Sequence, residues 1–188
     1  MVICLIILCN SCAAKSKDLI PRNPFDLYGS TIEFDVFRKG TKVGFHNVTF
    51  SGSPSNFWVT TRFDLEIKVL FFRAYAFKYF SKANWKDGVL SQINVVVDDD
   101  GEPFLLEGVR ETEEIMIKST KSNYRAQLPL FPTNHWNAGV LNQKVVLNTL
   151  TGELNQVEII AKGIETLSSE HGEIKGQRYS YTGDLDTD

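Results

Sequence analysis

The sequence predicts a mainly β domain: a single strongly curved antiparallel sheet with one short helix near residues 133–142. Three observations carry that prediction. Phenylalanine is unusually common, with 13 residues beside 6 Tyr and 3 Trp, and the aromatics recur at period-two spacing, which favours strands. Residues 57–69 form the longest alternating run: Phe57, Val59, Thr61, Phe63, Leu65, Ile67 and Val69 fall on one side, and Trp58, Thr60, Arg62, Asp64, Glu66 and Lys68 on the other. The third is an interruption at residues 129–137, where Pro129 and Pro132 remove two amide donors and fix two φ angles, so the segment sits outside any ladder. It reads as the corner on which the sheet closes, with Thr133 or Asn134 capping the helix.

The N-terminus reads as a targeting segment. Cys4, Cys9 and Cys12 are the only cysteines, so the body has no disulfide, thiol chemistry or cysteine-ligated metal site. Residues 2–9 are an apolar run rising about 12 Å as a helix, short of a membrane span but long enough for a signal-peptide core. The charged region that precedes such a core is missing, which points to a start site upstream or misassigned. Leu8 and Ser11 before Cys12 resemble a relaxed bacterial lipoprotein signal, with Cys12 as the lipidated residue. Cleavage after Ala14 gives a soluble exported protein instead, and a buried first strand of a cytoplasmic protein is the bland alternative. Export, to the bacterial periplasm or the outer membrane, is the expectation. Residues 1–14 are then the signal, residues 15–29, with Pro21 and Pro24, a tether, and residues 30–188 one β domain.

Within the body, Ile32, Phe34 and Val36 alternate with Glu33 and Asp35 before the Gly40 turn, a hairpin signature. Leu70-Phe71-Phe72 breaks the contrast between faces, and Tyr75, Phe77 and Tyr79 restore it opposite Ala74 and Ala76, suggesting a curved strand or something packed on the second face. Lys86-Asp87-Gly88 is a turn. Asp98-Asp99-Asp100-Gly101-Glu102 reads as a hairpin turn, because it lacks the alternating oxygen ligands and distal Glu of a calcium loop. Residues 164–172 look loop-like, and the meander stops soon after Gly183-Asp184, which leaves an open edge and suggests that the natural protein runs further.

A formal net charge of −3, with both signs mixed along the chain, argues against an extended nucleic-acid surface. No cofactor motif is present. His46, His135 and His171 show no metal-ligand spacing. Glu33, Asp35, Asp64 and Glu66 form a carboxylate pair only if their strands lie at the right separation. His135 is the weak catalytic candidate, with a corner residue bonding nearby backbone as the blander reading. Trp136 reads first as a core plug, and Asn137 as a residue bonding its own backbone. Aromatics beyond the needs of a core favour an apolar pocket, with Phe72, Tyr75, Phe77, Tyr79, Trp85, His135, Trp136 and Asn137 as ligand-binding candidates.

Several stretches then carry a family resemblance: Ile32-Glu33-Phe34-Asp35-Val36 with Gly40 and Gly44, Trp85-Lys86-Asp87-Gly88, Pro132-Thr133-Asn134-His135-Trp136-Asn137, Leu147-Asn148-Thr149-Leu150-Thr151-Gly152, and Tyr181-Thr182-Gly183-Asp184-Leu185. Over residues 30 to 185 the chain resembles bacterial exported proteins sharing domain of unknown function family 6134. The resemblance implies a half-barrel or open barrel similar to lipoprotein carrier proteins and VioE, and no assigned activity. Where this chain has His135 the family has an aromatic residue, and its members continue beyond Leu185 with a further strand. The expected function is an exported envelope protein binding a lipid or other hydrophobic ligand, tied to the membrane through Cys12 if that residue is lipidated. The alternatives are an envelope interaction module, meeting its partner through an edge strand, and an enzyme using His135.

Overall fold

The computed structural model describes residues 23–134, 136–169 and 172–184. The cysteine-bearing N-terminus, the cleavage point at Ala14 and His135 lie outside them. Eight strands form one antiparallel meander in chain order: β1 (Thr31–Arg38), β2 (Thr41–Ser53), β3 (Asn56–Val69), β4 (Phe72–Lys86), β5 (Val89–Asp99), β6 (Glu102–Arg110), β7 (Glu114–Ser119) and β8 (Asn123–Gln127). A second sheet has β9 (Val145–Leu147), β10 (Leu154–Ser169) and β11 (Gly172–Gly183) in the order β11-β10-β9.

This corrects the expected single, strongly curved sheet. The described residues form two sheets, not curled or closed into a barrel, and β1 and β8 end the large one without pairing to each other. The carrier-like half-barrel is therefore not formed. The cause lies in the corner. Its prolines end the ladder after β8, and its apolar side chains turn back onto the large sheet. Leu130, Phe131, Trp136, Val140, Val146 and Leu147 are buried there. The corner also bonds to the small sheet, since Thr133 N donates to Leu147 O and Leu147 N donates to Phe131 O. It joins two layers where a closing barrel would need it to join two edges.

The helix at the corner is a 3-10 turn over Ala138–Asn142, shorter than the helix expected over residues 133–142. Asn137 caps it, its Oδ1 accepting from Gly139 N, so neither Thr133 nor Asn134 is the cap. A second helix, α1 (Pro24–Tyr28), lies in the stretch expected as a tether. Asn23 accepts from Phe25 N and Pro24 enters at the first turn, the usual helix-starting chemistry. Residues 164–169, expected as loop, continue β10.

Alternation decides which face packs. On β3, Phe57, Val59 and Thr61 are buried, and β4 to β7 add Ala83, Trp85, Leu90, Ile93, Val95, Leu106, Ile115 and Ile117 to the same core. Gly108 lets those side chains meet, because a Cβ there would lie 2.7 Å from Ile93 Cγ2 and 2.9 Å from Ile117 Cδ1. Gly108→Val is therefore expected to overpack the core and cost about 1–3 kcal/mol, seen as a lower urea midpoint with an unchanged slope.

Candidate functional site

The inner face of the large sheet is divided. At the end near the β2–β3 turn it is covered. Trp136 packs edge-on against Phe50, Phe57 and Trp85, at ring-centroid distances of 5.4, 5.8 and 5.3 Å. Phe131 lies against Trp85, and Phe25 of α1 against Phe50 and Phe57. Tyr28 stacks on Phe50, and its hydroxyl donates to Trp136 O at 3.0 Å.

A buried polar group bounds this packing. The Tyr79 hydroxyl is hydrogen-bonded to Asn134 Oδ1 and Thr149 Oγ1, both at 3.0 Å. Thr149 N donates to Thr133 Oγ1, and Asn134 Nδ2 donates to Ser81 Oγ. Burial pushes the Tyr79 phenol up, against the smaller opposing pull of these hydrogen bonds. Thr61, opposite Ser81, is buried with its hydroxyl oxygen unpartnered.

Beyond that group the inner face is only half-buried among the described residues. Four rings cross four strands in a continuous row. Phe34 stacks on His46 at 5.8 Å, His46 meets Phe63 at 5.8 Å, and Phe63 meets Phe77 at 5.7 Å. Register produces the row: Phe34 pairs with His46, His46 with Phe63, and Phe77 sits one pair beyond Phe63 opposite Leu65. Gly44 keeps the neighbouring position low, since a Cβ there would run into the backbone oxygen of Asp64. Phe34, at the β1 edge, is 54% exposed. Only Phe34 and His46 are stacked; Phe63 meets each of its neighbours edge-on, so the row is a ridged aromatic surface suited to apolar side chains.

The expected site residues do not converge. Phe72 is at the β3–β4 turn and 76% exposed. The Tyr75 hydroxyl donates to Asp99 Oδ1 at 2.6 Å, which pushes its pKa up to about 12. Phe77 belongs to the open row, Tyr79 to the polar group, and Trp85 and Trp136 to the packed core. Asn137 is occupied as a helix cap. Asp35 pairs with Lys42 and Glu66 with Lys68, and Asp35 and Asp64 both flank Phe45 from strands two apart. That separation, about 10 Å between backbones, gives no close carboxylate pair. Among the described residues no cluster of His, Cys, Asp or Glu could hold a metal ion. His46 is the residue of the row that the sequence reading weighed only as a metal ligand. Its signal was its place in alternation with Val48 and Phe50, two residues of the core face.

Two measurements probe this region. Tyr79→Phe leaves Asn134 and Thr149 short of a partner, and a loss of about 1–3 kcal/mol is expected in urea unfolding. Burial lowers the His46 pKa below its ordinary 6.5, so between the two values the unfolded chain binds more protons. This contribution to stability is full above about pH 6.5, falls as pH drops, and levels off below the folded-state pKa. His46→Phe is expected to flatten that part of the pH dependence of the thermal midpoint.

A family model described as "Domain of unknown function (DUF6134)" matches residues 34–188. No curated protein and no solved structure matches the chain. With most of its length covered by that model, the chain belongs to the DUF6134 family.

Proposed function

We propose that this protein is an interaction module of the bacterial cell envelope, which takes an extended apolar segment of a protein partner along the edge of β1. The observation that carries the reading is the free edge beside the aromatic row. β1 is eight residues long and pairs only with β2 among the described residues. Its Ile32, Phe34 and Val36 lie on the inner face, so an added strand would continue both the ladder and the row. An exposed edge of this length carrying Phe34 and Phe37 is a liability unless something pairs with it.

A lipid or small hydrophobic ligand, the occupant expected from the sequence, competes for the same row. Such ligands favour concave sites that bury most of their surface. The row is open, and the core beside it is filled by Trp85, Ile93, Ile115 and Ile117, which favours the partner strand. Export and lipidation at Cys12 rest on the N-terminal sequence and belong to the proposal. If they hold, a fatty-acid label fed to cells will enter the wild-type chain and be absent from Cys12→Ala.

The test is photo-crosslinking in living cells, with the probe at Glu33 or Asp35 and a control probe at Lys118 in β7. A discrete protein adduct at the β1 positions is expected, lost when Phe34→Lys puts a charge on the inner face of the edge. Adducts that survive Phe34→Lys, or none at β1, overturn the reading. A small hydrophobe retained in native mass spectrometry, and lost with the same substitution, would hand the row to a ligand.

A further inference from the structure

Opposite the packed end of the large sheet, the β3–β4 hairpin runs past its neighbours. Pairing of β2 to β3 ends at Gly44 with Leu65, and pairing of β4 to β5 begins at Phe77 with Asp99. Among the described residues, strand pairing of residues 66–75 is confined to the hairpin itself, and they form a two-stranded finger that Ala76 still ties to Asp100 at its base. From Leu65 to Leu70 it reaches about 17 Å at strand rise. Its tip is apolar throughout: Val69, Leu70, Phe71 and Phe72 are 57%, 86%, 96% and 76% exposed. Leu70 also has a φ of 58° at the first position of a two-residue turn, where glycine is the ordinary choice. An exposed leucine at a position suited to glycine needs a reason outside the fold.

The surroundings of the tip are basic. Lys68 and Arg73 face each other just behind it. Arg38, Lys39 and Lys42 of the β1–β2 turn line a cleft of about 500 Å³ with Glu66, Ile67 and Lys68, which places both turns at one end of the molecule. The carboxylates there are Asp35 and Glu66, which pair with Lys42 and Lys68. Arg38, Lys39 and Arg73 make no ion pair among the described residues. The acidic β5–β6 turn sits back at the finger's base, with Asp99 accepting from Tyr75 and Asp100 from Ala76 N.

We propose that this finger docks on an anionic lipid bilayer, with Leu70, Phe71 and Phe72 entering the interface and Arg38, Lys39, Lys68 and Arg73 meeting lipid headgroups. Apolar side chains ringed by Lys and Arg are what an interfacial anchor requires, because burial supplies the binding and the cations choose anionic lipid. The contact is separate from an anchor at Cys12 and from the partner strand at β1. Acting with an N-terminal anchor, it would fix the orientation of the sheet on the membrane.

The experiment uses the full chain carrying Cys12→Ala, so that no acyl chain contributes, and vesicles of equal parts phosphatidylcholine and phosphatidylglycerol. Leu70→Asn with Phe71→Ser removes the tip while keeping a residue that accepts positive φ. This pair is expected to weaken vesicle binding at least about tenfold, with the circular dichroism spectrum unchanged. Residues 2–9 are common to both proteins, so a site-specific reading is needed as well. Phe71→Trp is expected to shift to the blue on these vesicles and to be quenched by lipids brominated near the headgroup, with a smaller response on phosphatidylcholine alone or in high salt. Equal binding by the tip variant, or no shift and no quenching from Phe71→Trp on bound protein, overturns the proposal. An equal response on neutral vesicles overturns the headgroup part of it.

Discussion

Everything in this molecule depends on one contact, the corner laid onto the inner face of the eight-stranded sheet. An open sheet with one apolar face has no stable existence until that face is covered. Trp136 supplies the centre of the cover, touching Phe50, Phe57 and Trp85 from β2, β3 and β4. Its backbone oxygen holds Tyr28 and so fastens α1 over the same rings. Tyr79 then fixes the lateral position of the corner through Asn134 and Thr149, in surroundings where a misplaced polar group would be costly. Apolar packing provides the drive, and the hydrogen bonds choose one position out of many.

Because the cover is smaller than the sheet, the two ends of the inner face have different characters. The covered end is a core in the ordinary sense. The other end keeps the same alternation in Phe63, Leu65, Ile67, Tyr75 and Phe77 but is only half-buried among the described residues, and past it the β3–β4 hairpin runs on beyond its pairing with β2 and β5. One strand pattern thus serves a buried face, a half-buried aromatic row and an exposed finger in succession. The change comes from what lies opposite each stretch, and the strands themselves scarcely change.

That is also why the sequence was only partly legible. Period-two alternation marks β3 directly, and Asp87-Gly88 and Asp100-Gly101, all four at positive φ, announce the turns after β4 and β5. The number of sheets was hidden, because strand signals record alternation and say nothing of which strands pair. Residues 161–167 and 172–175 were harder still. Both of their faces are exposed, so the contrast that reveals a strand is missing there. α1 was readable in Asn23-Pro24, a cap followed by a helix-starting proline, but a single turn after another proline looks like linker. The aromatic candidates failed to gather for a simpler reason. Tyr75, Phe77, Tyr79 and Trp85 follow one another along a single strand, so they spread over some 30 Å from finger to core.

The order of the chain has a consequence for how this fold is made. Every strand of the large sheet pairs with its neighbour in sequence, so each hairpin can form from local contacts as soon as its own residues are available. The cover does not share this advantage. Trp136 reaches back across 108 residues to Tyr28, and Thr149 across 70 to Tyr79. During synthesis all eight strands therefore precede the corner that shields most of their inner face, and a growing chain that has reached Gln127 has α1 over Phe50 but not yet Phe131 or Trp136 over Trp85. Exposed apolar surface of this kind invites aggregation. The hazard for this protein therefore lies in the interval of synthesis before Trp136 and Thr149 have emerged.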